Sequence, residues 1–311
     1  MPFAPEPTRN EENDLPVAAA NGIELHYEEF GDPTAPALLL IMGLGTQMIA
    51  WPDGLVSRLA AAGFRVIRYD NRDVGLSTHL AGAEAPNLIW ALLATRFGAR
   101  VPVPYTMTDM AKDTVGLMDA LNIPAAHIVG ASMGGMIAQL VAADHPERVM
   151  SLTSIMSSSG ARGLPGPTPE LRKRLMTKRK PNPSRDDAIR AGEETLKLIS
   201  YPDPARSPDA LREAAAAAFD RAYDPAGMRR QLAAIIADGS RVRRLASVRA
   251  PTLVIHGAAD PLVPVAAGRD LVARIPGAKL EVIEKMAHDL PPSQLTRIAD
   301  LIVGHGKSAG Q

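Results

Sequence analysis

The pentapeptide Gly130-Ala131-Ser132-Met133-Gly134 places one serine between small residues. The apolar run Ala126–Val129 precedes it and an apolar helical stretch follows. That is a G-x-S-x-G pattern in the strand–turn–helix context its chemistry needs. Small neighbours let the chain turn sharply and lift the hydroxyl to the head of a helix, where backbone N–H groups point outward. A serine hydroxyl at its ordinary pKa is a poor nucleophile. It needs a base to take its proton and an acid to orient that base.

Seven histidines are available as the base. His26 falls in an edge hairpin, His127 inside the serine strand, His145 at the far end of the next helix and His305 near the terminus, all poorly placed to reach Ser132. His79 lies in an insertion at the expected pocket rim, with no acid placed to orient it. His256 ends a strand before Gly257 and reads as a structural neighbour. His288, in Glu284-Lys285-Met286-Ala287-His288-Asp289-Leu290, follows the last strand at the sheet edge that carries Ser132. Asp260, in the loop from Gly257 to Pro264 after the preceding strand, is the acid. No carboxylate stands directly after Ser151–Ile155, and Asp289 adjoins His288 in sequence, where side chains rarely orient one another. Chain order is therefore Ser132, Asp260, His288. Two N–H donors must also face a developing oxyanion. Met133 supplies one, and Leu44, between Gly43 and Gly45, is the leading candidate for the other, although the same glycines suit a plain turn. The chemistry expected of these residues is acyl transfer through the serine, which needs neither metal nor organic cofactor.

The elements that must hold these residues alternate. Leu15–Ala20, Asn21-Gly22 and Ile23–Phe30 read as a hairpin, Asn-Gly supplying the positive φ angles of a tight turn. Apolar runs follow at Ala37–Met42, Phe64–Tyr69, Ala126–Val129, Ser151–Ile155, Thr252–His256 and Lys279–Glu284. Helical periods fall between them, at Pro52–Ala62, Thr108–Leu121, Met133–Ala143, Val265–Arg274 and Gln294–Val303. Such alternation predicts a mostly parallel sheet flanked by helices, with antiparallel strands at one edge. From Ser157 to Leu245 the rhythm breaks into helical segments separated by proline turns. The expected organisation is an α/β core of residues 15–156 and 246–303, a helical cap of residues 157–245 after the sixth strand, and disordered tails at 1–14 and 304–311. A shorter insertion, Thr78–Thr106, carries the apolar piece Leu88–Phe97, which is expected to help roof an apolar pocket. Trp51 and Trp90 read as core anchors or as ligand contacts.

Composition narrows the class. The 311 residues carry 34 basic and 34 acidic side chains, and 46% of them are hydrophobic, ample for a large core. Zero net charge disfavours a nucleic-acid binder. The lack of cysteine excludes disulfides, thiolate metal sites and cysteine nucleophiles. No run is long and apolar enough to span a membrane. The N-terminal residues lack the basic start and apolar middle of a secretion signal, so the cytoplasm is the default. Neutrality is a cancellation: residues 157–245 hold 18 basic and 11 acidic side chains, and the rest hold 16 and 23. A basic cap over an acidic core can be drawn to it, and can also draw anionic ligands to the mouth.

From Ile23 to Val303 the chain resembles the α/β-hydrolase superfamily, specifically its capped serine carboxylesterase branch. Asp70-Asn71-Arg72-Asp73-Val74-Gly75-Leu76-Ser77 matches a loop that relatives carry beside the nucleophile, with Asp73 standing where their pattern has glycine. Together with Met42-Gly43-Leu44-Gly45 and Trp51-Pro52-Asp53, that variant is similar to a subgroup including the aclacinomycin methylesterases. Relatives commonly have His-Gly where this chain has Met42-Gly43, and Gly-His where it has Ala287-His288. The resemblance implies an eight-stranded α/β-hydrolase fold and serine-ester chemistry on small molecules with an apolar acyl or alcohol part. Serine at the elbow argues against the dehalogenases and epoxide hydrolases of the superfamily, which use aspartate there. Lactonase, perhydrolase, amidase and carbon–carbon hydrolase activities share the triad, and a ligand receptor of this fold remains the alternative outside enzymology.

Overall fold

A computed structural model describes residues 16–176 and 183–309. Its centre is one eight-stranded sheet: β1 (Val17–Ala20), β2 (Ile23–Phe30), β3 (Ala37–Ile41), β4 (Arg65–Tyr69), β5 (Ala126–Ala131), β6 (Val149–Ile155), β7 (Thr252–Gly257) and β8 (Lys279–Ile283). Their order across the sheet is β1-β2-β4-β3-β5-β6-β7-β8. The first two pairings are antiparallel and the rest parallel. The edge hairpin closes as Asn-Gly requires, with Asn21 at φ 49° and Gly22 at φ 79°. β3, β5 and β7 are buried at every position. That explains why they read as unbroken apolar runs rather than alternating ones.

Helices cover both faces. One core joins α3 (Met107–Ala120) and α4 (Met133–Asp144) to the sheet through Met107, Met110, Leu117, Ile137 and Leu140. The other gathers Trp51, Leu55 and Leu59 from and beside α1 (Asp53–Ala61) with Ile298 and Ile302 of the last helix. Each such aliphatic side chain, fully buried, contributes roughly 1.5–3 kcal/mol. Parallel strands joined by right-handed helical crossovers align their C-terminal ends on one sheet edge.

Between β3 and β5 lies α2 (Leu88–Arg96), and after β6 comes the helical cap: α5 (Pro169–Met176), α6 (Arg185–Ile199), α7 (Ala210–Arg221), α8 (Pro225–Asp238) and α9 (Val242–Leu245). The chain returns to the core through α10 (Ala266–Arg274) and α11 (Leu295–Ala309). Among the described residues no helix is long and apolar enough to cross a membrane.

One sequence expectation changes here, and two others gain detail. The C-terminal stretch expected to fray from Gly304 is helical through Ala309, because His305 hydrogen-bonds the carbonyls of Leu152 and Pro251 and Gly306 packs on Phe64. Trp51 is a core anchor, whereas Trp90 is half exposed on α2. α2 packs on α8 and buries Ala91, while Ile89, Leu92, Leu93 and Phe97 are exposed. The expected tail at 1–14 lies outside the described residues.

Candidate active site

Ser132 stands between β5 and α4 with φ 56° and ψ −118°, a conformation non-glycine residues rarely adopt. Holding it costs roughly 1–3 kcal/mol, which the surroundings must supply. They do so by close packing: a Cβ on Gly130 would fall on the Gly134 carbonyl, and one on Gly134 on the Ile41 carbonyl. The Ser132 N–H donates to Ile155 O (2.9 Å) and Ser157 Oγ donates to Ser132 O (2.8 Å), pinning the turn. The glycines of the motif are thus the condition for β5 to turn against β3.

The structure brings the three predicted residues into one hydrogen-bonded line. His288 Nε2 lies 2.9 Å from Ser132 Oγ, and His288 Nδ1 lies 2.8 Å from Asp260 Oδ2. The other Asp260 oxygen accepts from the N–H groups of Leu262 and Val263 at 2.9 and 2.8 Å. Two fixed backbone donors therefore aim this buried carboxylate at the imidazole. With Nδ1–H donated to Asp260, Nε2 is left to accept the serine proton, the tautomer a base needs.

Other histidines are engaged elsewhere. His127 pairs with Ser151 Oγ, and burial, reinforced by nearby His305, pulls its pKa down to about 4. His256 bonds Val263 O at 2.7 Å, 3.7 Å from Asp260, and burial lowers its pKa. It buttresses the Asp260 loop. Asp289 turns away from His288 to accept from Tyr201 N–H and Arg206. His79 corrects the sequence reading: an acid does orient it, Asp224 at the N-cap of α8, 2.7 Å from Nδ1. Its Nε2, however, faces Gly75 O at 2.9 Å and not Ser132. Burial opposes charge on this ring, but the Gly75 carbonyl, Asp224 and Asp73 outweigh it and raise the pKa.

The Met42–Met48 loop runs beside the serine. A Cβ on Gly43 would sit 3.2 Å from Ser132 Cβ and 3.7 Å from its Oγ, so glycine lets the backbone pass this close without pushing on the serine. Asn71 Nδ2 donates to Met42 O (3.0 Å), and Met48 N–H donates to Asp70 Oδ1 (2.8 Å). The Asp70–Ser77 loop is therefore a brace for the loop that carries Leu44.

Asp73, the residue in the glycine position of the family pattern, keeps a positive φ of 66° and is fully buried. Arg230 of α8 grips it with two bonds, at 2.8 and 2.7 Å, and also reaches Asp224. Burial alone would raise the Asp73 pKa, but Arg230 and the Leu80 N–H hold it below the usual carboxylate range. Asp73, His79 and Asp224 can bring three ligand atoms within 4.8 Å of one another. The Arg230 guanidinium already places a cation on both carboxylates, so the cluster is an ion-pair latch between core and cap.

Residues the sequence did not flag support the elbow from behind. Gln139 Nε2 donates weakly to Ser154 and Ser157, and fully buried Arg241 donates to Gln139, Ser158 O and Asp238. Burial lowers the Arg241 pKa. Nothing local marks these residues, because their partners are far away in sequence.

Comparison with known proteins agrees with this architecture. A family model described as alpha/beta hydrolase fold matches residues 36–292. The rhodomycin D methylesterase DauP of Streptomyces sp. (strain C5) is 31% identical over 92% of this chain and 96% of its own length. The crystal structure of the enol-lactonase from Burkholderia xenovorans LB400 superposes with a TM-score of 0.70 at 26% identity, covering 93% of this chain and 99% of that one. A meta-cleavage product hydrolase from Pseudomonas fluorescens IP01 shares the fold at a TM-score of 0.72 and 22% identity, covering 94% and 98%. By its sheet order, its elbow and these matches, the chain belongs to the alpha/beta hydrolase family.

Proposed function

We propose that this protein hydrolyses carboxylic esters of small molecules through an acyl-enzyme on Ser132. The observation that carries the reading is the line from Ser132 Oγ through the His288 ring to Asp260, at 2.9 and 2.8 Å. As the hydroxyl attacks the ester carbonyl, His288 Nε2 takes its proton and Asp260 stabilises the imidazolium. The N–H groups of Leu44 and Met133 hold the oxyanion. His288 then returns the proton to the departing alkoxide, which leaves as the alcohol. In the second half a water attacks the acyl-serine, His288 again acting as base, and the carboxylic acid and free Ser132 result.

Kinship with a methylesterase supports a simple alkyl ester. The enol-lactonase likeness supports cyclic esters as the second substrate class. The test is turnover of p-nitrophenyl esters of increasing acyl length alongside methyl esters and lactones. Ser132→Ala, correctly folded, should lose all turnover and all labelling by a fluorophosphonate. Undiminished activity in that variant would end the proposal.

A further inference from the structure

The loop bearing Leu44 is held from two sides, and one of them is the cap. On the core side stand Asn71 and Asp70. On the cap side, the Gly45 N–H donates to Gln231 Oε1 at 2.7 Å, while Gln231 Nε2 donates to Arg72 O at 2.8 Å. Gln231 belongs to α8 and is fully buried. Two further contacts back it: Gln47 Nε2 donates to the carbonyls of Ala218 and Ala222 at the end of α7, and Arg221 donates to Gln47 Oε1 (2.8 Å) and forms an ion pair with Asp70 (2.7 Å). Gly45 has a positive φ of 62°, and a Cβ there would lie 2.8 Å from Met228 of α8. The cap thus presses on the loop at the residue after Leu44.

We propose that Gln231 is a positioning residue for the oxyanion hole, so that docking of the cap and orientation of the Leu44 N–H are one event. The inference rests on the ester-hydrolase reading above. Its physical basis is peptide planarity. Fixing the Gly45 N–H fixes the Leu44–Gly45 peptide plane. Gly43, packed on Ser132, and the Asn71 bond to Met42 fix the chain on the other side. Between these anchors little freedom is left for the Gly43–Leu44 peptide, whose N–H must meet the oxyanion. Without Gln231 that N–H has one anchor, and the flexible glycine next to it is free to turn away. Electrostatic stabilisation depends on donors that are already aimed when charge develops.

The amide is matched to this task. It offers one acceptor and one donor on a single rigid group, and both are used. Leucine at 231 keeps approximate size but leaves the Gly45 N–H and Arg72 C=O without their partner. Glutamate keeps the acceptor for Gly45. Losing an oxyanion donor outright costs about 100- to 1000-fold in kcat, so losing only its aim should cost about 10- to 100-fold.

The experiment compares wild type, Gln231→Leu and Gln231→Glu on p-nitrophenyl esters and in the rate of phosphonylation by a fluorophosphonate. The latter needs the nucleophile and the oxyanion hole but no cleavable substrate. Expected for Q231L are a fall of about 10- to 100-fold in kcat and in phosphonylation rate, with KM within about threefold of wild type. Affinity for an alkyl boronic acid, which forms a tetrahedral adduct on Ser132, should fall in parallel. Q231E should recover part of each loss. A rise in KM with unchanged kcat and unchanged phosphonylation would assign Gln231 to substrate binding and overturn the proposal. So would a Q231L enzyme that matches wild type. If Q231L does not fold, Q231E decides: the same parallel loss in kcat and phosphonylation, smaller in size, supports the proposal, and wild-type rates overturn it. A wild type that neither turns over any ester nor reacts with the fluorophosphonate overturns the function reading as well, whereas a reactive wild type equalled by both variants overturns this inference alone.

Discussion

The Asp73–Arg230 pair offers the sharpest test of how cap and core are joined. Asp73 is wholly buried at a positive φ, and its carboxylate meets Arg230 through two bonds and the Leu80 N–H through one. Replacing Arg230 by leucine leaves a buried carboxylate with a single donor, and breaking such a pair from one side costs about 3–5 kcal/mol. Asp73→Gly costs less. It removes the charge that needed a partner, relieves backbone strain of about 1 kcal/mol, and leaves Arg230 with Asp224 and the Ala83 carbonyl. A loss of about 2 kcal/mol is expected for D73G. The double variant R230L/D73G buries neither charge, so it should be more stable than R230L alone, with a coupling energy of about 2–3 kcal/mol. Urea unfolding followed by both tryptophan fluorescence and far-ultraviolet circular dichroism measures all four corners of the cycle, and coincident transitions license the two-state analysis. The sign with pH follows from the depressed Asp73 pKa. The pair's contribution is present above the ordinary aspartate pKa and is lost as pH falls through the folded value, so the gap between wild type and R230L should close in acid. Additivity within about 0.5 kcal/mol would refute the account.

Four further outcomes are expected. Asp260→Asn should preserve the fold yet lower kcat about 10,000-fold, because the amide permits the wrong His288 tautomer; steady-state kinetics on a p-nitrophenyl ester measure it. Gly134→Ala should fail to give stable, active protein, since its Cβ meets the Ile41 carbonyl, and a soluble variant with normal kcat would contradict the tight elbow. His127, held at about 4 against an ordinary 6.5, stays neutral in the fold while the unfolded chain takes up a proton. Stability should therefore drop by about 2–3 kcal/mol between pH 6.5 and 4, and His127→Leu should flatten that slope in urea titrations. The His79–Asp224 contact has the opposite sign: with a raised pKa it stabilises below the ordinary imidazole range and fades as pH rises through the folded value. Limited proteolysis should find the cap better protected at pH 6 than at pH 8 in wild type and equally protected at both in His79→Gln.

What was legible in the sequence is what is local. Ser132, Asp260 and His288 each follow a short apolar strand, and parallel topology carries all three strand ends to one edge without further information. The Asn21-Gly22 turn and the fully apolar β3 announce themselves in the same way. What was hidden depends on distant partners. The acid that orients His79 lies 145 positions away, and Gln231 meets Gly45 across 186. α11 runs past Gly304 because two carbonyls of the sheet edge receive His305, a gain invisible in glycine-rich terminal sequence. Which face of the apolar α2 is covered is likewise set at a distance, by α8, so that Ala91 is buried while Leu92 and Leu93 stay exposed.

The cancellation of charge between cap and core acquires a location. Arg206, Arg221, Arg230 and Arg244 of the cap meet Asp289, Asp70, Asp73 and Asp144 of the core. Four such pairs take up more than half of the cap's surplus of seven positive charges, and the Arg221 and Arg230 pairs are buried. Of the two uses foreseen for a basic cap, attraction to the core is therefore the one these arginines serve; a guanidinium locked on a buried carboxylate projects little field toward a ligand. The pairs also fall where the proposed chemistry needs rigidity. Arg221 and Gln231 bear on the Leu44 loop, Arg206 on the residue after His288, whose own N–H donates to Ile199 O. Ahead of α5, the Thr168 N–H reaches Pro261 O, next to Asp260. Each loop on which the mechanism depends thus carries at least one bond from the cap. A cap held this way bears on the His288, Asp260 and Leu44 loops together, so opening it should loosen all three. Catalytic rate should then track cap docking more steeply than substrate affinity does, and variants of Arg221 or Arg206 should lower kcat before they raise KM.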